Sequence, residues 1–317
     1  SVAGRTLAAI AKKDKKVVAV TAAMKEGTGL SEFEKVAPRR LFDVGIAEQH
    51  AVTFSAALAS TGARPFVAIY STFVQRALDQ LIHDTALMNL PVRLLVDRAG
   101  IVGEDGETHH GLFDISMIRS IPNFKLFAPS DGEELRDILY YAWKHDSGPV
   151  AIRYPRGTAC GARLDVSAYR EFVPGRIKVL KKGSDLAILA AGDMVQNALE
   201  LSELLKGSGI SSTVVNLLSI KPLDLKGIGK VIRDCRRFIT LENAFISGGL
   251  GEYIYSQIDP ELCVKKIALA GFPDQFIVHG TSSELFDDYG LSAVKLAQLV
   301  IPFLKRGAKK AGTKKRD

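Results

Sequence analysis

Gly45-Ile46-Ala47-Glu48-Gln49-His50 runs directly into Ala51-Val52-Thr53-Phe54-Ser55-Ala56-Ala57-Leu58-Ala59, and the rest of the chain is arranged around this passage. The second half is small and apolar nearly all round, which predicts a buried helix rather than a surface one. It follows a short apolar segment, Leu41-Phe42-Asp43, and stops at Gly62. Glu48 therefore falls in the first turn of a helix with little polar face. Desolvating a carboxylate is costly, so such a group needs a partner or takes up a proton. Alone, Glu48 reads as a carboxylate answering the helix dipole at an N-terminus.

Working outward, strands and helices alternate. Val2, Leu7 and Ile10 space a first helix, and Val17-Val18-Ala19-Val20-Thr21 is rich in β-formers. Residues 65–70 predict a buried strand. Residues 72–89 predict a helix with its apolar stripe at Leu78, Leu81, Ile82 and Thr85, and 92–96 the next strand. A Gly-rich polar loop covers 98–111. A helix at 114–119, a strand at 124–128, a helix at 131–144 and a strand at 150–154 close the set. This is the α/β signature of a parallel sheet covered on both faces. Functional loops in such sheets lie at the carboxyl ends of strands. Tyr70, Asp97, Arg98, Tyr154 and Arg156 all stand there and are expected to share one rim with Glu48.

A smaller alternating set follows, with strands at 186–190, 213–217, 238–241 and 264–268 and helices through Leu205, after Gly251 and over 292–304. Two α/β domains are expected, at 1–157 and 176–304. A linker at 158–175 joins them, and a basic disordered tail, 305–317, follows. Gly248-Gly249-Leu250-Gly251 suits either an anion at a helix N-terminus or tight packing at a chain reversal.

The net charge of +7 is concentrated in that tail, which holds seven basic residues and one acidic. The other residues carry 35 basic and 34 acidic side chains, so the body offers no case for a nucleic-acid groove. No apolar run reaches the ~20 residues that span a bilayer, and no signal-peptide pattern opens the chain. Cys160, Cys235 and Cys263 are odd in number and far apart, which fits a reducing compartment better than a disulfide framework. No metal motif stands out, and the adjacent His109 and His110 suit acid–base work better than shared metal ligation.

Three segments carry candidate chemistry. Tyr70, Phe73 and Arg76 surround a strand-to-helix turn, where Phe73 could stack on a planar ring and Arg76 lies about a turn further on. Asp97 to Gly111 gathers Arg98, Asp105, His109 and His110 on a glycine-hinged loop with little apolar material. Histidine there is suited to proton transfer near neutral pH. Arg153-Tyr154-Pro155-Arg156-Gly157 ends a strand with two forked donors fit for phosphate or carboxylate, Arg156 on the turn being the better placed.

In this order the motifs resemble the deoxyxylulose-phosphate synthase family of the transketolase superfamily, which uses thiamine diphosphate. The likeness rests on Val20 to Met24, Asp43, Ile46 to Phe54, Tyr70 to Arg76, Asp79-Gln80, His83-Asp84, Asp97 to Gly111, Ala128-Pro129-Ser130-Asp131 and Arg153 to Gly157. In the second domain it is thinner: Glu242-Asn243, Gly248 to Gly251, Gly271-Phe272-Pro273-Asp274 and His279-Gly280. His110 stands where the family more often has glutamine, and Leu241 where it has an acidic residue.

The resemblance implies a pyrimidine-binding domain followed by a transketolase C-terminal-like domain. It implies condensation of pyruvate with D-glyceraldehyde 3-phosphate to 1-deoxy-D-xylulose 5-phosphate and CO2, feeding isoprenoid, thiamine and pyridoxal synthesis. Glu48 would hydrogen-bond the aminopyrimidine and share a proton with it, and Phe73 and Ile46 would pack on the cofactor. His109, with Asp105 nearby in sequence, would contact the pyruvate-derived group, and Arg76 would help shape the site. Tyr70, Arg98 and Arg156 would hold the acceptor's phosphate. The family's Mg²⁺ and diphosphate sit on an additional N-terminal domain whose Gly-Asp-Gly motif is not found in residues 1–317, and the chain opens on Ser1 rather than Met. The expected partners are therefore that domain or a separate chain carrying it, and a second copy in a homodimer, in the cytoplasm or a plastid-type organelle. The alternatives are a β-type subunit of a 2-oxo acid dehydrogenase and a non-catalytic fragment or dimerisation module.

Overall fold

The computed structural model of the protein describes residues 2–157 and 165–311, the last six of these by backbone alone. Twelve strands among them form two sheets: β1 Val17–Thr21, β2 Leu41–Asp43, β3 Arg64–Tyr70, β4 Arg93–Asp97, β5 Lys125–Phe127, β6 Val150–Tyr154, β7 Lys178–Lys181, β8 Leu186–Ala190, β9 Ser212–Asn216, β10 Ser219–Lys221, β11 Arg237–Phe245 and β12 Lys266–Phe272. The first sheet has the order β10-β5-β6-β4-β3-β1-β2 and the second β12-β11-β8-β9-β7. Pairing is parallel except at one edge of each, β10 on β5 and β7 on β9. Every residue of β1, β4, β6, β8 and β9 is buried, as central strands covered by helices on both faces require.

The alternating α/β architecture is as expected, with instructive differences. β10 leaves the second half of the chain and completes the first sheet, where Lys221 Nζ donates to the carbonyls of Arg119 (2.9 Å) and Ile121. Three residues of mixed polarity carry no periodicity, so only the long-range pairing reveals this strand. The predicted 72–89 helix is not uniform. Ser71–Val74 is α, Gln75–Ala77 tightens to 3₁₀, Leu78–Gln80 is α and Leu81–Leu87 widens to a π-helix. Val74, Ala77, Leu81 and Thr85 nevertheless keep one face inward. The Glu48–Ser60 helix buries Glu48, Ala51, Val52, Ser55, Ala56 and Ala59, but Gln49, His50, Thr53 and Ala57 are open to solvent. The all-round burial expected of it is thus limited to one stripe in this chain.

The linker expected at 158–175 is described from residue 165 onward, Cys160 lying outside the described residues. It packs on the first domain: Tyr169 stacks on Tyr140 with centroids 3.9 Å apart, and Phe172 meets Phe127 edge-on at 4.9 Å. The tail expected to be disordered from 305 is helical as far as Ala311, at the end of the Ala293–Ala311 helix. Lysine, arginine and alanine are good helix formers, so basic character alone did not stop it. Residues 312–317 lie outside the described residues.

Apolar residues of the two halves merge. Ile101 and Leu112, at the two roots of the 98–111 loop, are 4% and 2% exposed and join Leu186, Ile188 and Ile239 in the core of the second domain. Each contributes about 1.5–3 kcal/mol of burial to holding the loop there. The 98–111 loop therefore belongs to the first sheet by connection and to the second domain by packing.

Candidate active site

Adjacent parallel strands bring distant residues to one line. Tyr70 pairs with Asp97 across β3 and β4, and Asp97 with Tyr154 across β4 and β6. Side chains just past these ends converge at the carboxyl edge of the sheet, with the Glu48–Ser60 helix packed against β3.

Glu48 is 2% exposed, and the partner its burial demands is Arg76, whose Nη1 donates to both carboxylate oxygens at 3.1 and 3.2 Å. Arg76 is half exposed and lies over the Phe73 ring, 5.2 Å from its centroid. Phe73 continues the cluster, stacked on Tyr70 at 6.0 Å and edge-on to His109 at 5.5 Å. The Arg98 guanidinium covers the other part of Tyr70 at 4.0 Å. Burial pushes the Tyr70 phenol up, keeping it a neutral hydrogen-bonding group. Gly27 fits against that hydroxyl so closely that a Cβ there would fall 1.6 Å from the oxygen. Gly27→Ala is therefore expected to displace Tyr70 while leaving the secondary structure intact. Altered tyrosine environment in near-ultraviolet circular dichroism with an unchanged far-ultraviolet spectrum would bear this out, and two unchanged spectra would not.

Asp105 stands between two arginines, a contact on which the sequence carries no expectation. Its Oδ2 accepts from Arg98 Nη1 at 2.9 Å and Arg156 Nη1 at 2.7 Å, not from His109. The 3₁₀ turn Gly103–Asp105 aims the carboxylate at the strand ends, where two guanidinium groups attract it. His109 Nδ1 instead meets Thr108 Oγ1 at 2.8 Å. Arg98 and Arg156, just past the ends of β4 and β6, thus converge on one oxygen, and beside Arg156 lies a cleft of about 270 Å³ whose walls include Glu104 and Ser282. Ile46 is 79% exposed and extends from the turn at Gly45, whose positive φ of 74° suits glycine.

The sequence places Asp97 on the rim and Glu242 in a second-domain motif, but without the roles the fold gives them. Arg98 adopts a left-handed backbone, φ 57°, unusual for a non-glycine residue. Asp97 Oδ1 steadies it by accepting the Arg98 N–H at 2.7 Å. Burial pushes the Asp97 carboxyl up from 3.8 to about 7, outweighing that bond and the Arg98 charge. Glu242, on β11, accepts from Leu250 N and Gly251 N at 2.7 and 2.8 Å and is likewise pushed up to about 7 by burial. The anion at the glycine-rich turn is thus the chain's own carboxylate, and Gly249 and Gly251 allow its close approach.

For Asp97, the folded chain keeps a proton up to about pH 7 that the unfolded chain releases near 3.8. Ionisation therefore opposes folding, and stability falls as pH rises from about 4 to about 7. Asp97→Asn is expected to be more stable to urea than wild type at about pH 8, by no more than ~4 kcal/mol of unfolding free energy, and to match it near pH 4. Glu242 keeps part of the slope in the variant. A difference independent of pH would contradict the assignment.

A buried carboxylate linked through Arg76 to a half-buried aromatic face is a lining suited to a flat, hydrogen-bonding heterocycle such as an aminopyrimidine. Among the described residues no three His, Cys, Asp or Glu side chains are grouped to hold a metal ion. No described helix is long and apolar enough to cross a membrane.

The fold is that of a transketolase-type pyrimidine-binding domain with its C-terminal companion. Residues 1–160 match the transketolase pyrimidine-binding domain and residues 175–296 the transketolase C-terminal domain, and the chain belongs to this family. Among similar curated proteins are 1-deoxy-D-xylulose-5-phosphate synthases from Caldanaerobacter subterraneus subsp. tengcongensis, 48% identical over 298 residues, and Chlorobium luteolum, 46% identical over 302. These alignments cover 94% and 95% of this chain but 47% and 48% of the relatives, so the chain spans about half their length. Among solved structures, a split gene transketolase described as an inactive beta4 tetramer superimposes with TM-score 0.83 at 29% identity, over 96% of this chain and 97% of that one. A transketolase from Campylobacter jejuni shares the fold at TM-score 0.76 and 23% identity, over 95% of this chain and 46% of its own.

Proposed function

We propose that this chain is the pyrimidine-binding half of a 1-deoxy-D-xylulose-5-phosphate synthase. Together with a diphosphate-binding half it would condense pyruvate with D-glyceraldehyde 3-phosphate, releasing CO2. The observation that carries this reading is the unbroken contact series from Glu48 through Arg76, Phe73, Tyr70 and Arg98 to Asp105 and Arg156. It joins a proton-sharing carboxylate to an aromatic platform and then to a two-arginine anion site.

Bound thiamine diphosphate supplies the carbanion chemistry. Glu48 would accept and return a proton at the pyrimidine ring, with Arg76 holding its carboxylate in place. Phe73 and Ile46 would pack on the ring and exclude water. His109, edge-on to Phe73, would face the pyruvate-derived group. Tyr70, Arg98 and Arg156 would bind the acceptor's phosphate, whose doubly negative oxygens suit two forked donors better than one Asp105 oxygen does. Mg²⁺ would be held by the other half, whether an N-terminal domain of the same polypeptide or a separate chain, in a homodimeric assembly of the cytoplasm or a plastid-type organelle.

Mixing the chain with a diphosphate-binding half, Mg²⁺, thiamine diphosphate and both substrates is expected to yield deoxyxylulose phosphate. Reduction of a lipoyl acceptor instead would favour a 2-oxo acid dehydrogenase subunit. The chain by itself is expected to bind Mg²⁺–thiamine diphosphate weakly in calorimetry, because the diphosphate ligands are elsewhere; tight Mg²⁺-dependent binding would contradict the half-site.

A further inference from the structure

The loop bearing Asp105 and His109 is fastened at its root by a side chain of the other domain. Gly100 and Gly111 exchange backbone hydrogen bonds at 2.8 and 2.7 Å, pinching the loop closed. Asn243, 1% exposed on β11, lies flush against that pinch, so that a Cβ on Gly100 would stand 2.2 Å from its Nδ2. Its Oδ1 accepts the Ile101 N–H at 3.0 Å, its Nδ2 donates to Asp193 Oδ2 at 2.7 Å, and its main-chain carbonyl accepts from Arg153 Nη2 at 2.9 Å. Turning the amide over would set N–H against N–H and oxygen against carboxylate, so one orientation satisfies every partner. Arg153 in turn donates to the fully buried Asp114 at 3.0 Å, which locks the contact to the first sheet.

A second tether lies further along the loop. His110 is 5% exposed; its Nδ1 accepts the Val102 N–H at 3.1 Å, which leaves Nε2 to donate to the Val278 carbonyl at 3.3 Å. Burial holds this imidazole in its neutral form, the form that can do both. Each root of the loop is therefore gripped by, or grips, the second domain.

We infer that Asn243 is a positioning residue, setting through Ile101 where the 98–111 loop presents Asp105 and His109 to the substrates. The second domain is thereby part of the working site. The structural claim stands on the contacts above, and its kinetic consequence rests on the proposed synthase activity.

Hydrogen exchange of the 317-residue chain tests the structural claim. Asn243→Ala is expected to speed exchange across 98–111 by about tenfold or more while leaving β4 and β8 unchanged. Asn243→Asp alone sets a second carboxylate against Asp193, whose carboxyl burial already pushes up, so the pair holds a proton at low pH and should loosen the loop only as the pH rises and both ionise. Combined with Asp193→Asn it swaps donor and acceptor and should restore protection, even if the alanine variant folds poorly. Unchanged loop exchange in Asn243→Ala, or no recovery in the double variant, would overturn the tether. In the assembled enzyme the single variants are expected to lower kcat and raise the KM for the triose phosphate, with recovery in the double variant. A loosened loop with wild-type kinetics would overturn the positioning role. If the wild-type assembly makes no deoxyxylulose phosphate, the proposed function fails, while loop protection still decides the tether.

Discussion

Glu48→Ala in the assembled enzyme is expected to lower kcat by about 10²–10⁴-fold, the usual worth of a positioned acid–base group. The KM for glyceraldehyde phosphate should hardly move, because Glu48 lies at the far end of the contact series from Arg98 and Arg156. Loss of the fold would not explain such a result. Removing one member of a buried ion pair is damaging when the other is left buried, but Arg76 is half exposed and can rehydrate where it stands. Thermal unfolding of the variant should therefore remain close to wild type. Glu48→Gln preserves shape and one hydrogen bond to Arg76 but cannot pass a proton, so it should be nearly as inactive. A glutamine variant with near wild-type kcat would reduce Glu48 to a structural partner of Arg76.

The second large effect concerns the anion site. Arg98→Ala and Arg156→Ala should each raise the KM for glyceraldehyde phosphate by about 10–100-fold, the equivalent of ~1.5–3 kcal/mol for a hydrogen bond to a charged group. The pyruvate KM should stay nearly unchanged. Arg98 is expected to show the larger effect. It is only 20% exposed and lies over Tyr70, so its loss frees that ring as well, whereas Arg156 is 47% exposed. A shift confined to pyruvate would move the anion site to the other substrate. Because Asp105 bridges both guanidiniums, the two substitutions share a partner and their effects should not add.

Much of the fold was legible because its central strands are short runs buried on both faces. Val17-Val18-Ala19-Val20-Thr21 and Leu186-Ala187-Ile188-Leu189-Ala190 read as strands at once and are fully buried. Edges were harder to see. β7 has two exposed residues and a Lys at each end, and Leu225–Asp234, a helix with two interior glycines, offers weak propensity. The site divides the same way. Tyr70, Arg98 and Arg156 could be placed on one rim because parallel strands put their ends together. Three contacts could not be read from local spacing: Glu48 with Arg76, 28 residues apart; Asp105 with Arg156, 51 apart; and Ile101 with Asn243, 142 apart. The sequence left Glu48 needing a partner or a proton, and only the fold shows which cation came within reach.

Exchange of the C2 proton of bound thiamine diphosphate for deuterium, compared between the wild-type assembly and Glu48→Ala, bears most directly on whether this chain supplies the proton partner of the pyrimidine. Rapid exchange in the wild type, falling by about 10²-fold or more in the variant with cofactor still bound, is the predicted result. Exchange at the wild-type rate in Glu48→Ala would contradict it.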